Sequence, residues 1–261
     1  MIRLLSVLAI AVLTAGIAQA AVVTHQVAYT HGDVQLQGFL AYDDAGAGKR
    51  PGVLVVHEWW GLNDYARGRA EALAKMGYVA FALDMYGEGK STEHPEEAAA
   101  WMKTVNSNME QWRKRAMAGL EVLKKQPQVD TDRMAAIGYC FGGATVQVLA
   151  YGGADLDGVV SFHGSLIPPT AEQAARTTAK VLIGHGAQDP MNDTASLAAY
   201  VEAMNQTSID WQLIVYGNAR HSFTNPDADQ RGMAALAYSP AADRRSWQHI
   251  SLFIDELFAD K

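Results

Sequence analysis

Apolar positions along the chain alternate between short runs and wider helical stripes. Val22–Thr30 and Val34–Tyr42 read as two strands joined at His31-Gly32-Asp33, which predicts a β-hairpin. Gly52–His57 (GVLVVH) and Tyr78–Leu83 are short apolar runs, as in strands covered on both faces. Between them, Asn63 or Asp64 can cap a helix carrying Ala66, Ala70, Leu73 and Ala74 on one face, with Gly77 to stop it. Pro95, Glu96 and Glu97 read as the first turn of a second helix. Its pattern breaks near Asn106-Ser107-Asn108 and resumes with Met109, Trp112, Ala116, Leu120 and Leu123 on one stripe. Further strands are expected at Met134–Gly138, Gly158–His163, Val181–His185 and Trp211–Tyr216, and further helices at Phe141–Tyr151 and Ala195–Met204. Ser239-Pro240 starts a last helix whose inner face is Trp247, Ile250, Phe253, Ile254, Leu257 and Phe258. Strands separated by helices predict an α/β fold with a mostly parallel sheet, preceded by an antiparallel hairpin. No linker or repeat interrupts the pattern, so a single domain over 21–261 is expected.

Composition narrows the role of this domain. The chain has 261 residues, 49% hydrophobic and 19% charged, the profile of a globular protein. Its net charge of −7 argues against nucleic acid or an anionic membrane surface as partner, because both require a basic face. Residues 1–20 have the form of an export signal. Arg3 precedes the apolar run Leu4–Leu13, and Ala18-Gln19-Ala20 is a small-x-small cleavage site. Cleavage after Ala20 would deliver a periplasmic or secreted protein with no membrane anchor. The chain has a single cysteine, Cys140, so no internal disulfide can form. That residue is either a small buried hydrophobe or a free thiol with a task.

The residues around Cys140 favour a task. Gly138-Tyr139-Cys140-Phe141-Gly142-Gly143 lies between a predicted strand and a predicted helix, in the G-x-nucleophile-x-G pattern of a nucleophile elbow. The nucleophile of such an elbow sits on a tight, strained turn, so the residues two before and two after must be small. The turn aims the N–H of Phe141 and the helix N-terminus at a developing oxyanion, and the same positive end favours a thiolate. A thiol nucleophile needs a base, and the base needs an orienting acid. Asp189, after one predicted strand, is the candidate acid, with Asp193 as its rival. His221, after the last strand, is the candidate base. Their order, nucleophile then acid then base, suits the pattern. His57-Glu58-Trp59-Trp60-Gly61-Leu62-Asn63 directly follows a buried strand, where a loop can supply a second oxyanion donor, here the N–H of Trp59. A carboxylate at Glu58 beside the thiol would disfavour the thiolate and could accept its proton; the alternative is an ordinary surface glutamate.

HEWWGLN, the segment Asp84-Met85-Tyr86, GYCFGG, the turn ending at Asp189 and HSF at His221 together resemble the dienelactone hydrolases, in order and over essentially the whole mature chain. The resemblance implies an α/β-hydrolase fold, a Cys140–His221–Asp189 triad and a Glu58 that gates the thiol. It also implies hydrolysis of a small ester or lactone through a thioester, with no cofactor and no metal. Two departures concern the substrate. The cytosolic ring-cleavage enzymes of this family hold a substrate carboxylate with two arginines. Here the matching regions read Gly87-Glu88-Gly89-Lys90 and Thr224-Asn225-Pro226, and lysine does not replace a bidentate guanidinium. The export signal is the second departure. Trp59, Trp60, Tyr86, Phe141, His163 and Phe223 are expected to line an aromatic pocket for an uncharged or weakly polar acyl compound. Three rival readings remain from the residues alone: a metal site built from His57, His163, His185 and His221, a redox thiol at Cys140, and a ligand-binding protein without turnover.

Overall fold

A computed structural model describes residues 21–45 and 48–259, so the expected leader over residues 1–20 lies outside the described residues. The chain runs β1 (Val22–His31), β2 (Val34–Asp43), β3 (Arg50–Val56), α1 (Asp64–Lys75), β4 (Val79–Ala82), α2 (Pro95–Asn106) and α3 (Met109–Lys124). It continues through β5 (Val129–Tyr139), α4 (Phe141–Tyr151), β6 (Gly158–Phe162), α5 (Ala171–Arg176), β7 (Lys180–Gly186), α6 (Thr194–Met204), β8 (Trp211–Tyr216) and α7 (Pro240–Ala259). The eight strands form one sheet in the order β1-β2-β4-β3-β5-β6-β7-β8. The hairpin pairs antiparallel, β2 adds antiparallel to β4, and every pairing from β4 onward across the sheet is parallel.

The pleat explains why the parallel strands are apolar throughout. On β3, Leu54 and Val56 point into one apolar layer and Val53 and Val55 into the other. The first layer is closed by Trp112 and Leu120 of α3, Leu149 of α4 and Tyr200 of α6. The second is closed by Ala66, Ala70 and Leu73 of α1 and by Ile250, Ile254 and Leu257 of α7. Helices on both faces leave the carboxyl ends of the parallel strands as the open rim, where a site can form. Among the described residues, no helix is long and apolar enough to cross a membrane.

Local chemistry sets the element ends. Asn63 caps α1, its side chain accepting from the Ala66 N–H at 3.3 Å, and Asn108 caps α3 through the Gln111 N–H at 3.0 Å. The hairpin turn is the two residues Gly32-Asp33, with Gly32 at φ 58°; His31 belongs to β1. Three expectations are corrected. Met109 is not on the inner stripe of α3 but 50% exposed, because it is the first helical residue and precedes the packed turn. β5 begins at Val129, five residues early, and a register shift at Pro51/Gly52 accommodates the extra length against β3. The six-residue α5 was not expected, although Thr170 and Gln173 form a full capping box at its start.

Asp84 shows how the sheet rim is organised. It is fully buried, and its carboxylate accepts four backbone N–H groups. Tyr86 and Gly87 donate to Oδ1 at 2.8 Å each, while Gly89 and Gln37 donate to Oδ2 at 2.8 and 3.0 Å. The bonds from Tyr86, Gly87 and Gly89 fold the chain after β4 into a tight loop, and the bond from Gln37 ties that loop to β2. Asp84→Ala strands all four donors. It should destabilise the protein by about 2–4 kcal/mol, read as a lower urea midpoint at unchanged slope.

Candidate active site

Cys140 closes β5 and precedes α4 with φ 55° and ψ −115°, a backbone conformation that L-residues rarely hold. Its own N–H donates to Phe162 O at 2.9 Å on the neighbouring strand. The flanking glycines are required by contact. A Cβ on Gly138 would lie 2.0 Å from Gly142 O, and one on Gly142 would lie 2.1 Å from Val56 O. β3, β5 and α4 therefore approach more closely here than any side chain permits. The thiol is free and half-buried, and Phe141 opens α4, whose first N–H groups have no intrahelical acceptor.

β7 and β8 bring the acid and base to the same rim. His221 Nδ1 is 2.8 Å from Asp189 Oδ2, and both side chains are buried. Asp189 Oδ1 accepts the Met191 N–H at 2.8 Å, so both carboxylate oxygens are fixed. Asp193, the rival acid, is the exposed cap of α6 and accepts from Ser196. Burial alone would push the His221 pKa down. The Cys140 sulfur and the Asp189 carboxylate overcome it and raise the imidazole to about 10. Burial would likewise raise Asp189, but the bond and charge of His221 hold it below the usual carboxylate range. With Nδ1 on Asp189, the other ring nitrogen of His221 is left to the Cys140 sulfur, whose hydrogen bond and charge both raise the imidazole.

Glu58 is 1% exposed and is not bonded to Cys140 in this structure. Its oxygens accept from Ser222 Oγ and Asn225 Nδ2, each at 2.6 Å. Burial raises its pKa, while those two bonds and the charges of His221 and Arg231 oppose the rise. The adjacent His57 donates from Nδ1 to the Glu58 carbonyl at 2.5 Å and accepts the Met85 N–H at Nε2. With both nitrogens filled and burial lowering its pKa, it is a neutral structural imidazole.

A cavity of about 220 Å³ ends on Cys140 and His221. Trp59, Phe141 and Ala144 form its floor beside the thiol, and Met102, Asn106 and Trp112 come from α2 and α3. Ser165, Met191 and Leu236 complete it, and no Lys or Arg is among the described lining residues. A larger cavity of about 510 Å³ lies elsewhere, lined by polar residues such as Asn63, Thr92, Glu97 and Arg231, and neither Cys140 nor His221 lines it.

A model of the Dienelactone hydrolase family matches residues 36–258. The chain belongs to the dienelactone hydrolase family. It is therefore a hydrolase of small lactone or ester compounds. A solved dienelactone hydrolase-like promiscuous phosphotriesterase from metagenomic libraries superposes with a TM-score of 0.87 at 40% identity, over 91% of this chain and 99% of its own. A relative from Synechocystis sp., provisionally named a carboxymethylenebutenolidase, is 30% identical over 86% of this chain and 94% of its own. A Bradyrhizobium protein named "Probable 2-oxo-3-(5-oxofuran-2-ylidene)propanoate lactonase" is 26% identical over 79% of this chain and 84% of its own.

The structure brings Cys140 and His221 together with Trp59 and Phe141 at one cavity, with Asp189 bonded to His221. It does not place Trp60, Tyr86, His163 or Phe223 on the cavity wall, which corrects the expected pocket. Trp60 turns into a separate cluster with Ala98, Ala228 and Leu236, under the Arg231 guanidinium at 4.8 Å. Phe223 is core, and His163 packs edge-on against it and against His221 at 5.3 and 5.2 Å. Tyr86 lies behind Phe141, ring centroids 5.8 Å apart. Lys90 sits over Trp101 rather than in the cavity. His57, His163 and His221 spend ring nitrogens on protein partners, and no group of three or more His, Cys, Asp or Glu among the described residues could hold a metal ion. Sequence reasoning missed Ser222 and Asn225 as partners of Glu58, although Ser222 lies within the HSF motif and Asn225 two residues beyond it. It also read Trp112 as core only, because a helical stripe does not tell a core from a cavity wall.

The pH dependence follows from the two shifts. His221 is raised from 6.5 to about 10, so its proton stabilises the fold fully below about pH 6.5 and that contribution fades as pH rises through about 10. Asp189 is lowered, so its contribution is present above the ordinary carboxylate range and is lost as pH falls through its lower folded value. Asp189→Asn should therefore remove most stability between those limits, flatten both limbs of the thermal-stability profile, and lower kcat by about a hundredfold or more. Differential scanning fluorimetry across pH 3–11, at roughly one-unit steps, and steady-state kinetics check both.

Proposed function

We propose that this protein hydrolyses small, uncharged esters or lactones through a thioester on Cys140. The observation that carries the reading is the apolar cavity of about 220 Å³ that ends on Cys140 and His221 and has no Lys or Arg in its described lining. A carboxylate-bearing substrate would lose its hydration there without a cationic partner. In the proposed cycle the protonated imidazole of His221, oriented by Asp189, stabilises the Cys140 thiolate, which attacks the carbonyl carbon. The N–H groups of Trp59 and Phe141 receive the oxyanion. His221 then protonates the departing alkoxide. It next removes a proton from water, which attacks the thioester, and the sulfur leaves as the thiolate beside the re-protonated His221. Glu58 acts as a gate in this reading: its carboxyl must leave Ser222 and Asn225 before it can reach the thiol.

The purified protein should turn over p-nitrophenyl acetate and butyrate. It should handle p-nitrophenyl hemisuccinate, of similar size but anionic, at least about tenfold less efficiently in kcat/KM. Cys140→Ala should lower turnover by about a thousandfold or more, and mass spectrometry after rapid acid quench should find the acyl group on Cys140. Full activity in Cys140→Ala would sink the thioester route.

A second substrate class meets the same constraints. Neutral phosphotriesters offer an uncharged electrophile, and a solved relative at 40% identity carries phosphotriesterase in its name. A p-nitrophenyl dialkyl phosphate, assayed beside the carboxylic esters, ranks the two. Export is part of the proposal: the mature protein recovered from the native host should begin at Ala21, which N-terminal mass mapping reads directly.

A further inference from the structure

Helix α4 is buried along its whole length, yet it carries Gln147, which is 0% exposed. A primary amide is tolerated in such a place only when its donors and its acceptor are satisfied. Gln147 Nε2 donates to Ser165 O at 2.8 Å, to Gly143 O at 3.0 Å and to Ser161 Oγ at 3.2 Å. Its Oε1 accepts the Ile167 N–H at 3.2 Å. One side chain therefore joins the first turn of α4, just after Cys140, to the loop that follows β6. Backbone contact tightens the joint, since a Cβ on Gly164 would lie 2.7 Å from the Gly143 carbonyl carbon.

The same loop is held from its other side. Asn192 is 7% exposed, accepts the Leu166 N–H at 3.2 Å and donates to Gly164 O at 3.3 Å. It stands in the turn of Asp189, next to Met191, whose N–H bonds Asp189 Oδ1. Residues 164–167 thus each give one backbone group to these two amides, in strict alternation, where a strand would use a neighbouring strand. Pro168-Pro169 and the capping box of α5 at Thr170 fix the exit of the loop. Ser165 and Met191 both line the cavity that ends on Cys140 and His221.

Resting on the ester reading above, we propose that Gln147 and Asn192 are positioning residues that set the length of acyl group the cavity accepts. They pin the loop between the nucleophile turn and the acid turn, so the Ser165 and Met191 wall stands at a fixed distance from the Cys140 sulfur. A wall on a free loop would yield to a longer chain, because burying each further methylene is favourable. A pinned wall refuses it, because moving the loop breaks buried hydrogen bonds in a low-dielectric setting. Short acyl groups are the substrate class that follows.

The chain's single cysteine gives a direct readout. N-methyl and N-octyl iodoacetamide both alkylate Cys140, and their rate ratio reports how far the wall gives, with or without turnover. Gln147→Met keeps the length of the side chain and removes its four hydrogen bonds. In that variant the octyl-to-methyl ratio should rise about tenfold. The octanoate-to-butyrate ratio of kcat/KM for p-nitrophenyl esters should rise similarly, through KM rather than kcat. Asn192→Ala should move both ratios in the same direction, and it decides alone if Gln147→Met yields no folded protein. A merely structural role lowers the melting temperature and slows every ester and reagent alike. Ratios within about twofold of wild type in folded variants would overturn the proposal, whatever the melting temperature. A Cys140→Ala control keeps the two readings apart: turnover retained there defeats the thioester route, while the alkylation ratio still decides the role of the wall.

Discussion

The close approach of β3, β5 and α4 at Gly138 and Gly142 is the constraint on which the rest depends. Two glycines allow backbone to pass where a Cβ would stand near 2 Å from a carbonyl oxygen. That contact forces Cys140 into its left-handed turn at φ 55° and lifts the thiol to the sheet rim at the mouth of α4. Relax the approach, and the cysteine becomes one more buried sulfur in a strand end. The sheet absorbs this strain because its centre is rigid: β5 is flanked on both sides by parallel strands and covered on both faces.

Around that fixed point, polar groups are distributed by a simple rule. Every charge near the thiol is either paired by geometry or neutralised by burial. Asp189 has His221 and Met191, Glu58 has Ser222 and Asn225, and Asp84 has four backbone donors. His57 is held neutral with both nitrogens filled. The cavity itself contributes little polarity, so the field at the carbonyl of a bound ester comes from the protein's fixed groups rather than from mobile surface charge.

Much of this was legible in the chain because it is local. The elbow is a six-residue pattern with a steric reason, the strands are continuous apolar runs, and the caps at Asn63 and Asn108 are short-range devices. The order of Cys140, Asp189 and His221 along alternating strands and helices carried the long-range part. What was not legible depends on rotation about an element axis. Trp59 and Trp60 are neighbours with identical chemistry, yet one lines the cavity and the other turns under Arg231. Met102, Asn106 and Trp112 reach the cavity only through the packing of α2 and α3 over the rim, which no periodicity encodes. His163 directly follows β6 as expected and Phe223 lies in the loop after β8, but both face the core behind His221. The partners of Glu58 also escaped notice, since Ser222 and Asn225 are commonplace loop residues until the fold sets a buried carboxylate against them.

The stretch from His221 to Asn225 carries more than its length suggests. His221 faces Asp189, Ser222 and Asn225 hold Glu58, Phe223 fills the core, and Thr224 bonds both His163 and Tyr65. All five consecutive side chains are committed, so an insertion or deletion there would undo several attachments at once. Evolutionary room for new substrates then lies on the opposite wall, in α2 and α3, where the cavity is lined by pliant methionine and replaceable apolar surface. Divergence of specificity in such a protein would proceed by redrawing the cover while the loop beneath it is inherited intact.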